Sequence, residues 1–224
     1  MPFRDRSEAG RKLAVALARY KGKNPVIMAL PRGGVPVAAE VAAALDAPLD
    51  LVLVRKIGVP LQPELAMGAV VDGGAPIIVH NEDVIRLAGV SESDFKAVCD
   101  DELAEIERRR QLYLGNRERV EVVGRTVIVV DDGIATGATT RAALRALRMR
   151  KPKELVLAVP VAPTDTLAVI RDEVDDIVCL EDHAYFGAIG YYYVDFRQIT
   201  DQEVIDALAR FPARRPDTTK QSAA

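Results

Sequence analysis

The chain has 224 residues, 49% of them hydrophobic, and its 30 basic and 33 acidic side chains leave a formal net charge of −3. This length and composition favour one domain with a substantial core over two independent domains. The near balance of charge excludes a broad positive field that would hold a nucleic-acid backbone, so any anion must be bound locally.

Two further features bear on where the protein acts. The N-terminus, MPFRDRSEAGRK, is charged where a secretory signal needs an apolar core, and no segment approaches the roughly 20 apolar residues of a membrane span. Cys99 and Cys179 lack a second cysteine at metal-ligand or redox spacing, so both are expected to be reduced and buried. We therefore predict a cytoplasmic protein that has no membrane partner.

The first predicted elements are a helix, a strand and a second helix. Apolar residues at helical spacing over 7–19 predict an opening helix with Ser7 as a cap. PVIMAL (25–30) is apolar without alternation and predicts a buried strand. After the turn PRGG, the alanine-rich VPVAAEVAAALD (35–46) predicts the next helix.

The following segment predicts a strand, a loop, a hairpin and a long helix. LDLVLVRK (49–56) is a second apolar run that ends in two cations. IGVPLQPE (57–64) lacks periodicity and predicts a mobile loop, while AMGAVV and PIIVH around an Asp72-Gly73-Gly74 turn predict a hairpin. Residues 91–114 carry apolar positions at helical spacing among many charges and predict one long surface helix.

The rest of the chain continues the alternation. Apolar runs at 125–132, 154–162 and 175–180 predict strands, and helical patterns follow the first two of them. The alternation predicts an open, mostly parallel twisted sheet covered by helices on both faces.

The C-terminal part has a different composition. Residues 184–196 hold six of the eleven aromatic side chains and are suited to a lid, and a short helix follows near 201–210. Residues 1–210 are expected to form a single domain. The tail, 211–224, has no apolar pattern and is expected to be disordered.

VIVVDDGIATGATT (127–140) carries the strongest chemical signal. In an open parallel sheet, ligands bind beyond the carboxyl ends of the strands, where this segment places a loop and the start of a helix. Small residues and hydroxyls that leave backbone N–H groups open to a phosphate cluster there: Ala135, Thr136, Gly137, Ala138, Thr139 and Thr140. The lysine of GxxxxGK[ST] and the pattern GxGxxG are both absent, which argues against triphosphate and dinucleotide sites. The preceding pair, Asp131-Asp132, suits two sugar hydroxyls.

This segment resembles the signature of the type I phosphoribosyltransferases, which is a long hydrophobic strand, two acids and a small-residue T-G-x-T loop. In that family the acids hold the ribose hydroxyls of phosphoribosyl pyrophosphate and the loop holds its 5-phosphate. The resemblance implies these roles for Asp131, Asp132 and residues 135–139. It also implies the type I fold, with an inserted long helix and a small hood lobe from about 181–210 and the N-terminal helix.

Two further segments resemble the pyrophosphate-binding parts of the family. LPRGGVP (30–36) resembles its pyrophosphate loop, with Arg32 as cation, Gly33-Gly34 permitting unusual backbone angles, and a cis peptide expected at Pro31-Arg32 or a neighbour. Arg55-Lys56 resemble basic residues that reach pyrophosphate in orotate and purine enzymes, and 57–64 stands where the family has a closing loop. A strand-end salt bridge is the alternative for these two cations.

The resemblance also implies a mechanism and a metal. A base nitrogen would displace pyrophosphate at the anomeric carbon through a transition state with oxocarbenium character. Mg²⁺, shared by pyrophosphate and sugar hydroxyls, would stabilise the leaving charge together with Arg32 and Lys56. Asp131 and Asp132 would meet the metal indirectly, through water or ribose hydroxyls, and Asp195 is a third candidate near it. The predicted catalytic residues are Asp131, Asp132, Arg32 and Lys56.

The acceptor is only partly defined. Enzymes for 6-oxopurines commonly have a third aspartate where this chain has Ala135, which argues against a hypoxanthine-type base. The family usually has an aliphatic residue under the base at the position of Gly133. The candidates for the base pocket are Ile134, Tyr185, Phe186 and Tyr192. Packing within the lobe or a subunit contact is the alternative for the aromatics.

The PRGG, RKIG and AIG segments resemble an uncharacterised subgroup of this family. The leading hypothesis is transfer of a phosphoribosyl group to a nucleobase or similar nitrogen heterocycle, in nucleotide salvage, by a homodimer, since dimers are usual for the fold. The alternative is a non-catalytic regulator that senses phosphoribosyl pyrophosphate and binds nucleic acid, which the near-neutral charge disfavours. A hydrolase or phosphorylase acting on a ribosyl phosphate is a third hypothesis.

Overall fold

The computed structural model describes residues 1–72 and 76–211. Over these residues the strands are β1 Val26–Ala29, β2 Leu49–Leu51, β3 Val54–Val59, β4 Gln62–Val71, β5 Ile77–His80, β6 Thr126–Val130, β7 Glu154–Pro163 and β8 Asp176–His183. The α-helices are α1 Arg6–Ala16, α2 Gly34–Leu45, α3 Glu82–Ala88, α4 Glu92–Leu114, α5 Ala138–Met149, α6 Thr164–Ile170 and α7 Asp201–Ala209. None of these helices is long and apolar enough to cross a bilayer.

A five-stranded parallel sheet forms the centre of the fold, in the order β2-β1-β6-β7-β8. Alternate residues of its strands face two separate apolar cores. Ile27 and Ile128 pack with the helices α1 and α2, while Met28 and Val129 pack with α5 and α6. Because both faces are buried, the strands are apolar without alternation. The predicted α/β fold, a parallel sheet with helices on both faces, is confirmed.

The prediction for residues 49–64 was wrong. The run 49–56 is two strands: β2 pairs with β1, whereas β3 belongs to a separate antiparallel sheet with the order β3-β4-β5. Residues 57–64, expected to be a mobile loop, form the end of β3, a tight turn with Leu61 at φ 67°, and the start of β4. Gly58 permits this hairpin because a Cβ there would lie 2.6 Å from the carbonyl oxygen of Pro63.

Other element boundaries agree more closely with the sequence. Ser91 caps the long helix α4, as its predicted start at 91 implies, but Asp5 caps α1 in place of Ser7. The helix α3 was not predicted. The hairpin is confirmed by the pairing of β4 with β5, while Gly73 and Gly74 of its turn lie outside the described residues, as does most of the tail predicted to be disordered.

The N-terminal segment of the chain pairs with the aromatic segment 184–196. The Phe3 N–H donates to the Tyr192 carbonyl at 2.8 Å, and the Val194 N–H donates to the Phe3 carbonyl at 2.8 Å. Phe3 and Tyr193 are buried together against Val161 of β7. This packing holds the N-terminal segment and the aromatic segment next to the carboxyl ends of the central strands.

Candidate functional site

The acid pair and the glycine turn meet at one edge of the sheet. Asp131 follows β6 directly, and the turn after β1 lies beside it because β1 and β6 are neighbours. A Cβ on Gly33 would lie 2.1 Å from Oδ2 of Asp132, and one on Gly34 would lie 2.7 Å from the Val130 carbonyl oxygen. Both positions therefore require glycine for close approach.

The sequence predicted unusual backbone angles at Gly33, and this was wrong. Its φ of −60° and ψ of −38° are helical, so the backbone angles at this position do not require glycine. The expected cis peptide is present at Pro31-Arg32. Arg32 is one-third exposed, and its Nη1 lies 3.4 Å from Oδ1 of Asp201 at the start of α7. The cation of the turn therefore faces the C-terminal helix.

The two acids occupy different environments. Asp132 is 7% exposed, and its Oδ2 accepts a hydrogen bond of 2.7 Å from Nε of Arg6, which is itself buried. Asp131 is half-buried, and its Oδ1 accepts from the Asp132 N–H at 2.9 Å. Burial and the neighbouring charge of Asp132 raise the pKa of Asp131 well above its usual value. Burial also raises the pKa of Asp132, and Arg6 opposes that rise.

The loop after the acids is open at a helix N-terminus. Gly137 has φ 75°, and α5 starts at the next residue without a side-chain cap and with no acid in its first turn. The side chains of four loop residues are exposed: Ala135, Thr136, Ala138 and Thr139. Free N–H groups and the positive end of the helix dipole favour an anion there. The Thr166 hydroxyl donates to the Ala135 carbonyl at 3.1 Å and braces the loop.

Arg55 and Lys56 lie beside this loop, although they reach it from β3 and not from the parallel sheet. Lys56 lines a cavity of about 430 Å³ together with Thr139, and Arg55 lines a small cleft that also includes Thr139. Each cation also has an acid partner: Arg55 pairs with Glu102 at 2.6 Å, and Lys56 pairs with Glu64 at 3.1 Å. The two cations therefore have the acid partners of the salt-bridge alternative, and their contact with pyrophosphate stays a prediction.

The structure separates the candidates for a base pocket. Ile134, one of the predicted base-pocket residues, is 1% exposed and packs in the core. Tyr185 is almost fully exposed, whereas Phe186 and Tyr192 stack with their ring centroids 5.0 Å apart.

Sequence reasoning missed Ile189. A Cβ on Gly133 would lie 2.6 Å from Cγ2 of Ile189, so this side chain covers the glycine. Ile189 therefore places an aliphatic side chain over Gly133, the position at which the family usually has an aliphatic residue. The signal that pointed to it was the AIG segment, 188–190, whose isoleucine was not considered.

A metal would find hard oxygen ligands here. Asp195 is exposed, and its Oδ1 accepts from the Arg197 N–H at 3.1 Å. Within the described ranges no group of three or more His, Cys, Asp or Glu side chains could hold an ion. Mg²⁺ commonly uses one or two carboxylates with water and substrate oxygens, and the half-buried Asp131 fits that pattern.

The chain is similar to known proteins in sequence and in fold. A family model described as a phosphoribosyl transferase domain matches residues 5–195. A Mycobacterium tuberculosis protein provisionally named a phosphoribosyl transferase is 46% identical over 208 residues, which make up 93% of this chain and 46% of that protein. The chain therefore spans about half the length of the curated relatives it matches.

Solved structures share the fold. The Thermus thermophilus protein TT1426 is 39% identical, with a TM-score of 0.83 over 95% of this chain and 100% of that one. The Aquifex aeolicus protein AQ2163 is 12% identical, with a TM-score of 0.51 over 93% of this chain and 87% of that one, a similarity of fold alone.

Proposed function

This chain belongs to the phosphoribosyl transferase family, and we propose that it transfers the phosphoribosyl group of phosphoribosyl pyrophosphate to a nitrogen heterocycle, with release of pyrophosphate. The observation that carries the proposal is the open N-terminus of α5 at Gly137, next to a half-buried acid pair and a glycine turn. The helix N-terminus suits the 5-phosphate, the acid pair suits the sugar hydroxyls, and the glycine turn suits pyrophosphate.

The 5-phosphate binds the loop 135–139. The uncapped N–H groups of the first turn of α5 donate to the phosphate oxygens, and the exposed Thr136 and Thr139 hydroxyls add further donors. Gly137 adopts the left-handed backbone conformation at φ 75°, which glycine accommodates without strain where the loop leads into α5. The phosphate contact fixes the sugar at the end remote from the reacting carbon.

The ribose hydroxyls bind the acid pair. Asp131 is the more accessible of the two carboxylates, and Asp132 beside it accepts from Arg6 through Oδ2, so each carboxylate contributes an oxygen to the sugar hydroxyls. When bound, Mg²⁺ supplies positive charge that polarises the pyrophosphate leaving group. The carboxylate of Asp131 would hold the ion through water or through the sugar hydroxyls.

The reaction breaks the bond between the anomeric carbon and pyrophosphate and forms a bond from that carbon to a ring nitrogen of the acceptor. Pyrophosphate leaves with the electron pair of the broken bond, and a lone pair of the acceptor nitrogen forms the new bond and neutralises the positive charge that develops on the sugar ring. The acceptor ring releases its N–H proton to water, so the product ring is neutral. Arg32 and Lys56 stabilise the charge on the leaving group. Ile189, Phe186 and Tyr192 form an apolar surface beside Gly133 that suits a flat heterocycle.

Ligand-induced stabilisation tests whether the protein binds phosphoribosyl pyrophosphate. Phosphoribosyl pyrophosphate with Mg²⁺ at 100 times its Kd should stabilise the protein by about 2.7 kcal/mol. For a chain of this length that raises the melting temperature by roughly 5–10 °C. Gly137→Val should abolish the shift, because the new side chain would strain a left-handed residue and its Cβ would lie 2.9 Å from Cγ2 of Thr166.

Gly89→Val is the matched control. Gly89 is also left-handed, at φ 62°, but no atom lies within 4 Å of its Cβ position, and it caps the C-terminal end of α3. This variant should lose stability and keep the ligand-induced shift. A wild-type protein that shows no shift would refute the proposed ligand.

A panel of nitrogen heterocycles, assayed for pyrophosphate release, then identifies the acceptor. Retained binding without release for any base would favour the sensing regulator. The Mg²⁺ requirement and the homodimer stay predictions, and both can be measured on the same preparation by metal omission and by light scattering.

A further inference from the structure

Arg6 connects three parts of the molecule from a buried position. Its Nε donates to Oδ2 of Asp132 at 2.7 Å, and its Nη1 donates to the carbonyl oxygen of Arg197 at 2.9 Å. The guanidinium carbon lies 4.0 Å from the centroid of the Phe196 ring. Arg6 is the first residue of α1, so this single side chain joins the N-terminal helix, the acid pair and the segment before α7.

Asp132 is held from three directions. Arg6 engages one carboxylate oxygen, and the missing side chain of Gly33 leaves the space that the carboxylate occupies. The buried Tyr193 hydroxyl donates to the backbone carbonyl of Asp132 at 2.6 Å. Both the main chain and the side chain of Asp132 are therefore fixed by contacts within the protein.

We propose that Arg6 is a positioning residue of the ribose site, which orients the carboxylate of Asp132 toward the sugar hydroxyls by engaging Oδ2 and leaving Oδ1 for the ligand. This inference rests on the proposed function and deepens it. Arginine suits the role because its planar fork donates in two fixed directions, to Asp132 and to Arg197. A lysine would retain the charge without that fork.

The role predicts an effect on sugar recognition that a purely structural ion pair would not produce. If Arg6 orients Asp132, its loss should weaken binding of a sugar phosphate that has both ring hydroxyls and should spare binding of phosphate itself. If Arg6 only holds α1 in place, its loss should lower the melting temperature and weaken all these ligands equally.

The experiment uses the full chain and two sugar phosphates. Binding of ribose 5-phosphate and 2-deoxyribose 5-phosphate is measured by calorimetry with Mg²⁺, and inorganic phosphate probes the loop alone. We expect the wild type to prefer ribose 5-phosphate by about tenfold, the worth of one charge-assisted hydrogen bond. Arg6→Gln should reduce this preference to less than about twofold and leave the affinity for phosphate unchanged.

Two further variants sharpen the result. Arg6→Lys should retain an intermediate preference of about threefold, since it keeps the charge and loses the fork. Arg11→Gln is the matched control: Arg11 lies on the same helix, is half-exposed and is 3.6 Å from Glu40. This control should keep the wild-type preference.

The outcomes separate this inference from the proposed function. Wild-type protein that binds neither sugar phosphate would overturn both. Wild-type protein that binds both sugars equally, or Arg6→Gln protein that keeps the full preference with a lower melting temperature, would overturn the role of Arg6 alone. If Arg6→Gln fails to fold, Arg6→Lys decides: a reduced preference supports the role, and an unchanged preference overturns it.

Discussion

Gly33→Ala should destabilise the protein through a contact that the sequence does not reveal. The new Cβ would lie 2.1 Å from Oδ2 and 2.6 Å from Cγ of Asp132, so the carboxylate or the turn must move. Either movement stretches the 2.7 Å bond between Arg6 and Asp132, a pair whose side chains are about one-tenth exposed or less. Disrupting a buried ion pair costs about 3 kcal/mol, the lower end of the range for losing one partner.

The expected fall in melting temperature is roughly 6–12 °C, at about 2–4 °C per kcal/mol for a chain of this length. Chemical denaturation monitored by circular dichroism gives the free energy of unfolding directly. The same variant should bind phosphoribosyl pyrophosphate more weakly, because the displaced carboxylate belongs to the proposed ribose site.

A double-mutant cycle with Asp132→Ala tests the reasoning. Without the carboxylate, the clash disappears, and alanine at the helical angles of Gly33 should be neutral or stabilising by about 0.5 kcal/mol. The coupling between the two substitutions should therefore be about 3 kcal/mol. Equal destabilisation by Gly33→Ala in both backgrounds would show that Asp132 is not the group it displaces.

Three other predictions concern stability and reactivity. Burial and the charge of Asp132 raise the pKa of Asp131, so the folded protein binds the proton of this carboxyl more tightly than the unfolded chain does. The ionised carboxylate therefore destabilises the fold at neutral pH. Asp131→Asn should therefore raise the melting temperature at pH 7, with a gain that shrinks as the pH falls into the usual carboxyl range; a decrease at pH 7 would contradict this. Arg117→Ala should lower the free energy of unfolding by about 3 kcal/mol, measured by urea denaturation, because it removes the donors to three backbone carbonyls. Arg108→Ala is the control: Arg108 is exposed, and its loss should cost less than about 0.5 kcal/mol. Burial raises the pKa of Cys179 to about 11, so iodoacetamide at pH 8 should label it only in denaturant, as mass spectrometry can verify.

Local patterns in the sequence were sufficient to locate the loop 135–139, proposed to bind phosphate, and to predict most of the fold. The apolar strand, the two acids and the small residues of 127–140 are contiguous, so their order along the chain is also their order in the site. Periodicity placed α4 and α7 almost to the residue, because each begins at a capping side chain, Ser91 or Thr200.

The hairpin of residues 54–71 was not predictable in the same way. The segment 51–54 is continuously apolar, and nothing local marks Val52-Leu53 as the point where the chain leaves the parallel sheet. Gly58, Pro60 and Pro63 weaken the strand pattern. Pairing with β4 compensates for them, and that compensation depends on tertiary contacts.

The family, the parallel sheet and the positions of the acids and of the loop 135–139 follow from the amino-acid sequence, because each depends on neighbours along the chain. The difference between the two acids arises from tertiary packing. Asp131 and Asp132 are adjacent and chemically identical, yet the second is buried by Gly33, 99 positions earlier, and bonded to Arg6, which is 126 positions away. Contacts of that separation follow from the packing of α1 and the glycine turn onto the sheet edge, which no local pattern encodes.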